Sequence, residues 1–161
     1  MFIIEGVREF HRWTHLNLTM VLDYLAKIPG SEYTTEVRGF GFPTLRQQVI
    51  HVLNCEGFWI RSLQGLSYVD REAAESGGVD DARLMQNEIR RQTVAYLSGL
   101  TDEQLNMEIR LKFPEGEKHV RTPAQVLHHI FTHAYRHEGQ IAAMCRALGH
   151  PALDAHVMSI E

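Results

Sequence analysis

The chain has 161 residues, 44% of them hydrophobic, and a formal net charge of −4 with its histidines neutral. That length suits one domain around one core. The acidic balance excludes the basic footprint of a nucleic-acid binder, and no apolar run approaches the ~20 residues of a membrane span. Charges at Glu5, Arg8 and Glu9 come before a secretory apolar stretch can form, so a cytoplasmic protein is expected, with Cys55 and Cys145 as thiols.

The first expected helix runs from Ile4 to Lys27, where Phe10, Trp13, Leu16, Met20, Leu22 and Leu25 recur at helical spacing as its apolar face. Ile28-Pro29-Gly30-Ser31 ends it, because proline cannot continue a helix and glycine relaxes the turn. Residues 32–43 are rich in glycine, threonine and aromatics and are expected to be irregular. Thr44-Leu45-Arg46-Gln47 is a capping box and opens the second helix. Leu45, Val49, Val52, Leu53, Phe58, Trp59, Ile60 and Leu63 form its apolar face, and it ends near Gly65. A polar connector carrying Glu72, Glu75, Gly77 and Gly78 leads to a third helix, Asp80 to Ser98, built on Leu84, Ile89, Val94 and Leu97. Thr101-Asp102-Glu103 reads as a turn.

Met107, Ile109, Leu111 and Phe113 then alternate with Glu108, Arg110 and Lys112, the two-residue rhythm of a strand. Pro114 to Glu117 is a turn, and Lys118 to Arg121 returns as a second strand. Such a hairpin is marginal alone and must pack against helices. Thr122-Pro123 opens the last helix with a hydroxyl cap and a proline at the first helical position. It runs to about Leu148; Gly149 suits its C-terminal cap and Pro151 blocks continuation. The tail, Ala152 to Glu161, is expected to be irregular. Four long helices with one crossover excursion make a single all-α domain over residues 1–161, an antiparallel four-helix bundle with a small β-hairpin before the last helix.

Ten histidines are the unusual feature of the composition. The segment HHIFTHAYRHEGQI places His129, His133 and His137 four apart on the last helix. Residues four apart share a face with Cβ atoms about 5–6 Å apart, so His133 and His137 can aim their ring nitrogens at one ion. A third ligand must come from another element, and His51, on the second helix, is the best source. Three protein ligands with open positions is the arrangement of a catalytic metal rather than a structural one. The absence of any CxxC excludes a zinc ribbon.

A plain reading competes at every position, namely a core or boundary histidine with a hydrogen-bond partner. It stays open for His51 and for the His133/His137 pair. His129 points about 80° from His137 and suits an outer partner or a substrate contact better than a ligand. His128 is a boundary residue. His11 and His15 form another HxxxH pair and are expected to face solvent or line a pocket. Cys55 lies one turn after His51, where a thiolate would be a ligand or nucleophile; a small buried apolar residue is the commoner outcome. Cys145 is expected in the core. No glutamate follows His133, so the helix lacks the general base of the zinc-protease motif. Glu138 points about 100° away from His137. Occupancy by a metal should fall between pH 8 and pH 5 if ordinary imidazoles, with a pKa of about 6.5, hold it.

The histidine early in the second helix, the segment HVLNCEGFWIRSLQG and the last helix, RTPAQVLHHIFTHAYRHEGQIAAMCRALG, together resemble the DinB/YfiT-like superfamily of metal-binding four-helix bundles. The resemblance implies an up-down-down-up bundle. It implies one divalent ion per chain, nickel or zinc, on His51, His133 and His137; His129 and Cys55 are candidate outer or pocket residues from their helical positions alone. It implies thiol-dependent transferases and isomerases that use bacillithiol, mycothiol or glutathione, and a homodimer. With the composition, the expectation is a metal-dependent hydrolase or low-molecular-weight-thiol transferase acting on a small-molecule substrate, with neither nucleic acid nor membrane as a partner. The alternative is a metal-binding stress-response protein without turnover.

Overall fold

The structure, a computed structural model, describes residues 1–70, 77–112 and 118–151. Its elements are α1 (Ile4–Leu25), α2 (Gly30–Tyr33), α3 (Leu45–Leu63), α4 (Val79–Ser98), α5 (Asp102–Asn106), β1 (Ile109–Lys112), β2 (Lys118–Arg121) and α6 (Pro123–Ala147). The expected connector residues Glu72 and Glu75, the turn Pro114–Glu117 and the tail from Ala152 lie outside the described residues. So does Phe113, the last residue of the expected alternation.

The caps form as their sequences require. The Thr44 and Thr122 hydroxyls accept from the backbone N–H of Gln47 and Gln125, whose side chains return to the backbone N–H of the capping residue. Gly149 takes φ 89° directly after α6, where a side chain would be strained. Thr101 is more than a turn. It caps α5 through a third box with Gln104. That short helix in turn serves α1, which has no side-chain cap of its own. The Asp102 carboxylate accepts from the Ile4 N–H at 2.7 Å, and Asn106 bonds both the N–H and the carbonyl of Phe2.

Contacts between the long helices give their directions. Arg8 near the start of α1 donates to the Leu97 carbonyl at the end of α4 (2.9 Å), and Arg83 pairs with Asp23 (2.7 Å), so these two helices are antiparallel. Phe10 meets Phe131, Asn17 meets Glu138 and Tyr24 donates to the Pro151 carbonyl, so α6 runs parallel to α1. Gln48 meets His137 and Trp59 meets His129, which makes α3 antiparallel to α6. The order is up, down, down, up. β1 and β2 pair antiparallel with Ile109 opposite Arg121, and Leu111 of this hairpin is buried against the bundle.

Of the apolar face expected for α3, Leu45, Val49, Val52, Leu53 and Ile60 are buried, but α1 and α4 are rotated. Trp13 is exposed and Leu16 and Met20 are half-buried, while Val7, His11, Thr14, His15, Leu18, Val21, Leu22 and Leu25 face inward. On α4, Leu84 and Val94 are exposed and Met85, Gln86, Ile89, Thr93 and Leu97 are buried. The cause is a polar layer. One apolar cluster holds Leu18, Leu22, Leu53, Met85 and Met144, and a second holds Val7, Ile60, Leu97, Leu127 and Phe131. On α1, α3 and α4, His11, His15, Glu56 and Thr93 occupy the level between them. An apolar-periodicity reading assigns such positions to solvent.

Candidate metal centre

His51 projects from the first half of α3, and His133 and His137 from successive turns of α6. The antiparallel packing of the two helices brings the three together. A ring nitrogen from each lies within 4.8 Å of the others. The Nε2 atoms of His51 and His133 are 3.0 Å apart, and the three ring centroids are separated by 4.4–4.8 Å. Phe42, in the segment before α3, stacks on His51 with centroids 3.9 Å apart and fixes its plane. The Gln48 side-chain carbonyl sits 2.6 Å from His137 Nδ1 and accepts its proton, leaving Nε2 free to bind. That outer hydrogen bond is the usual way a protein sets the tautomer of a ligating histidine. Sequence reasoning missed both Phe42 and Gln48. Gln48 is fully buried one turn before His51, a polar residue on an apolar face.

Desolvation lowers the pKa of His133 to about 3, with the neighbouring His137, His51 and His129 adding repulsion, and lowers that of His137 to about 4. His51 is lowered too, again chiefly by burial. Neutral imidazole is the ligating form, so the surroundings hold the rings ready for a cation. The expected loss of metal below pH 6.5 therefore moves to more acidic pH. In a titration of metal-free protein followed by imidazole NMR, His133 and His137 remain neutral at pH 5; midpoints near 6.5 would contradict the geometry. The sign for stability follows. Both native pKa values lie below the unfolded value of about 6.5, so protonation favours the unfolded chain. The contribution of these two histidines to stability declines as the pH falls through that value, and it levels off below about pH 3.

The sequence pattern of the DinB family matches residues 6–160. The chain belongs to the DinB family. It is 24% identical over 151 residues to protein DinB of Bacillus subtilis (strain 168), covering 88% of this chain and 84% of that one. It is 23% identical over 108 residues to YizA of the same organism, covering 67% of each. Among solved structures it is similar to the DinB-like protein YjoA of Bacillus subtilis (TM-score 0.64, 19% identity, 90% of this chain and 95% of that one). A histidine-to-alanine variant of a mycothiol-dependent maleylpyruvate isomerase gives a TM-score of 0.50 at 11% identity, over 96% of this chain and 64% of that one.

In this DinB-family chain the other predicted residues divide. His129 is exposed, with its ring 5.5 Å from Trp59 and 5.7 Å from His133, so it continues the histidine row outward. A cavity of about 330 Å³ opens there, lined by Trp59, Arg121, Gln125, Val126 and His129. Cys55 is half-buried, does not join the histidine group, and burial lifts its thiol to about 12, so it is not a thiolate. Cys145 is buried, as expected, and His128 is exposed. His11 and His15 correct their expectation. Neither faces solvent or lines a described pocket; both are buried and bond Glu56 of α3. Glu138 is buried against Asn17 of α1, away from the triad, and burial raises its carboxyl to about 7 despite that hydrogen bond.

Proposed function

We propose that this DinB-family chain is a metal-dependent enzyme whose divalent ion, nickel or zinc, is held by His51, His133 and His137 and which activates a low-molecular-weight thiol or water toward a small electrophilic substrate. The supporting observation is the convergence of three desolvated, neutral imidazoles from two helices, with His129, 5.7 Å from His133, lining an open cavity next to them. The donor set fits such an ion: three nitrogen ligands, one of them oriented by Gln48, and no protein carboxylate closing the remaining positions among the described residues. A divalent ion supplies one thing there, a lowered proton affinity for a bound thiol or water, which generates the nucleophile near neutral pH.

The chain's own residues do the rest. Phe42 and Gln48 fix the rings of His51 and His137. The Trp59–His129 wall leads from the triad to the cavity, where Arg121 and Gln125 can receive the polar end of a substrate. A thiol is favoured over water as nucleophile because a structural neighbour is itself described as mycothiol-dependent. The expected homodimer remains part of the proposal; Phe2, Ile3 and Trp13, exposed around an apolar cavity between α1 and α6, offer a surface that suits it.

The test uses tag-free protein loaded with nickel or zinc and assayed with bacillithiol, mycothiol and glutathione against a panel of electrophiles. Conjugation that disappears on chelation and returns with metal is the expected result. Metal bound at the His51 group but silence across the whole panel would overturn the enzyme reading and leave a metal-binding protein without turnover.

A further inference from the structure

The polar layer between the two apolar clusters contains a second convergence of metal-binding atoms, apart from the His51 group. Glu56 is buried and lies in the middle of the bundle. Its Oε1 is 3.2 Å from His11 Nε2, its Oε2 is 3.0 Å from His15 Nε2, and the Thr93 hydroxyl donates to Oε1 at 2.6 Å. Three helices contribute: α1 gives both imidazoles, α3 the carboxylate and α4 the hydroxyl. The nitrogen and oxygen atoms of His11, His15 and Glu56 all lie within 4.8 Å of one another.

Charge and cost both bear on what this cluster is. No lysine or arginine is paired with Glu56 among the described residues, so its carboxylate has imidazole and hydroxyl partners only. Burying such a group is expensive, and a well-packed apolar layer at the same level would often be as stable or more so. His15 Nδ1 is buried with no partner, so hydrogen bonding inside the cluster does not satisfy every atom. The spacing suits coordination. Ligands at the usual 2.0–2.1 Å from a tetrahedral zinc stand about 3.3 Å from one another, and the nitrogen–oxygen distances in the cluster are 3.0, 3.1 and 3.2 Å. Bundle cores are also where side chains from facing helices assemble metal sites.

We infer that His11, His15 and Glu56 form a second, interior site for a divalent transition ion, with Thr93 holding the carboxylate in place. All three ligands are buried, so no substrate reaches the ion there, and it is structural and acquired as the bundle folds. It uses none of the residues of the His51 group, and the two sites load independently.

The experiment measures zinc content in tag-free protein expressed with zinc and then desalted against a weak chelator. The wild-type chain is expected to carry two equivalents, His51→Ala/His133→Ala one, and Glu56→Gln one. Far-UV circular dichroism of each variant establishes that the bundle is intact. One equivalent in the wild type, lost in His51→Ala/His133→Ala, overturns the interior site and leaves the open one standing. One equivalent lost only in Glu56→Gln supports the interior site and removes the open one. If Glu56→Gln folds and carries as much zinc as the wild type, the cluster is a hydrogen-bonded triad and the inference fails.

Discussion

His133→Ala is expected to weaken metal binding at the outer group more than 100-fold while leaving the fold intact. Loss of an outer hydrogen-bond partner alone costs about 10–100-fold, and His133 is a direct donor whose removal leaves only His51 and His137 on opposite helices. His133 is half-buried, and its loss leaves the two apolar clusters untouched. Gln48→Ala should fall within the 10–100-fold range, because it frees the His137 ring without removing a ligand. Competition titration with a chromophoric chelator ranks the three proteins. Equal affinity in His133→Ala and wild type would mean that the ion is held elsewhere.

Glu56→Ala is expected to be the most destabilising single substitution in the polar layer, at roughly 3–5 kcal/mol in metal-free protein, the usual cost of removing one partner from a buried charged pair. Two buried imidazoles and the Thr93 hydroxyl would lose their common acceptor. At about 2–4 °C per kcal/mol for a domain of this size, the melting temperature falls by roughly 10 °C. The pH dependence carries the same signature. Burial alone would raise the Glu56 pKa, but the charge of His15 and the hydrogen bonds from His11 and His15 outweigh it and hold the carboxyl well below the usual carboxylate range. A native pKa below the unfolded one stabilises the fold above the unfolded value, and that stabilisation is lost as the pH drops through about 4 and below. The variant should therefore lose the part of the acid dependence that wild type shows there. A change under about 1 kcal/mol at pH 7 would mean that the layer tolerates an apolar replacement.

How much of this was legible in the residues differs by element. The capping boxes at Thr44 and Thr122 mark the starts of α3 and α6 because hydroxyl and amide sit three apart ahead of an apolar run. The same pattern at Thr101–Gln104 suggests only a turn in the sequence, since five residues cannot show helical periodicity. The grouping of His133 with His137 follows from four-residue spacing. Its completion by His51 follows from there being one histidine on α3, at a position an antiparallel partner can reach. Gln48 and Phe42 were not legible, because a glutamine on a helix and a phenylalanine in a connection carry no signal of what they touch. The Glu56 cluster was hidden for a deeper reason. Only His11 and His15 share a spacing; Glu56 and Thr93 lie on two other helices, and polarity gives no sign that either is inside, so only packing shows that the four meet. The expectation that His11 and His15 face solvent or a pocket failed on that point.

Anomalous diffraction from crystals of zinc- or nickel-loaded protein, collected at the absorption edge of that metal, tests whether rings from α3 and α6 grip one cation. A strong anomalous peak within bonding distance of one nitrogen each of His51, His133 and His137 is expected. A fully loaded crystal with no peak between those three rings would contradict it.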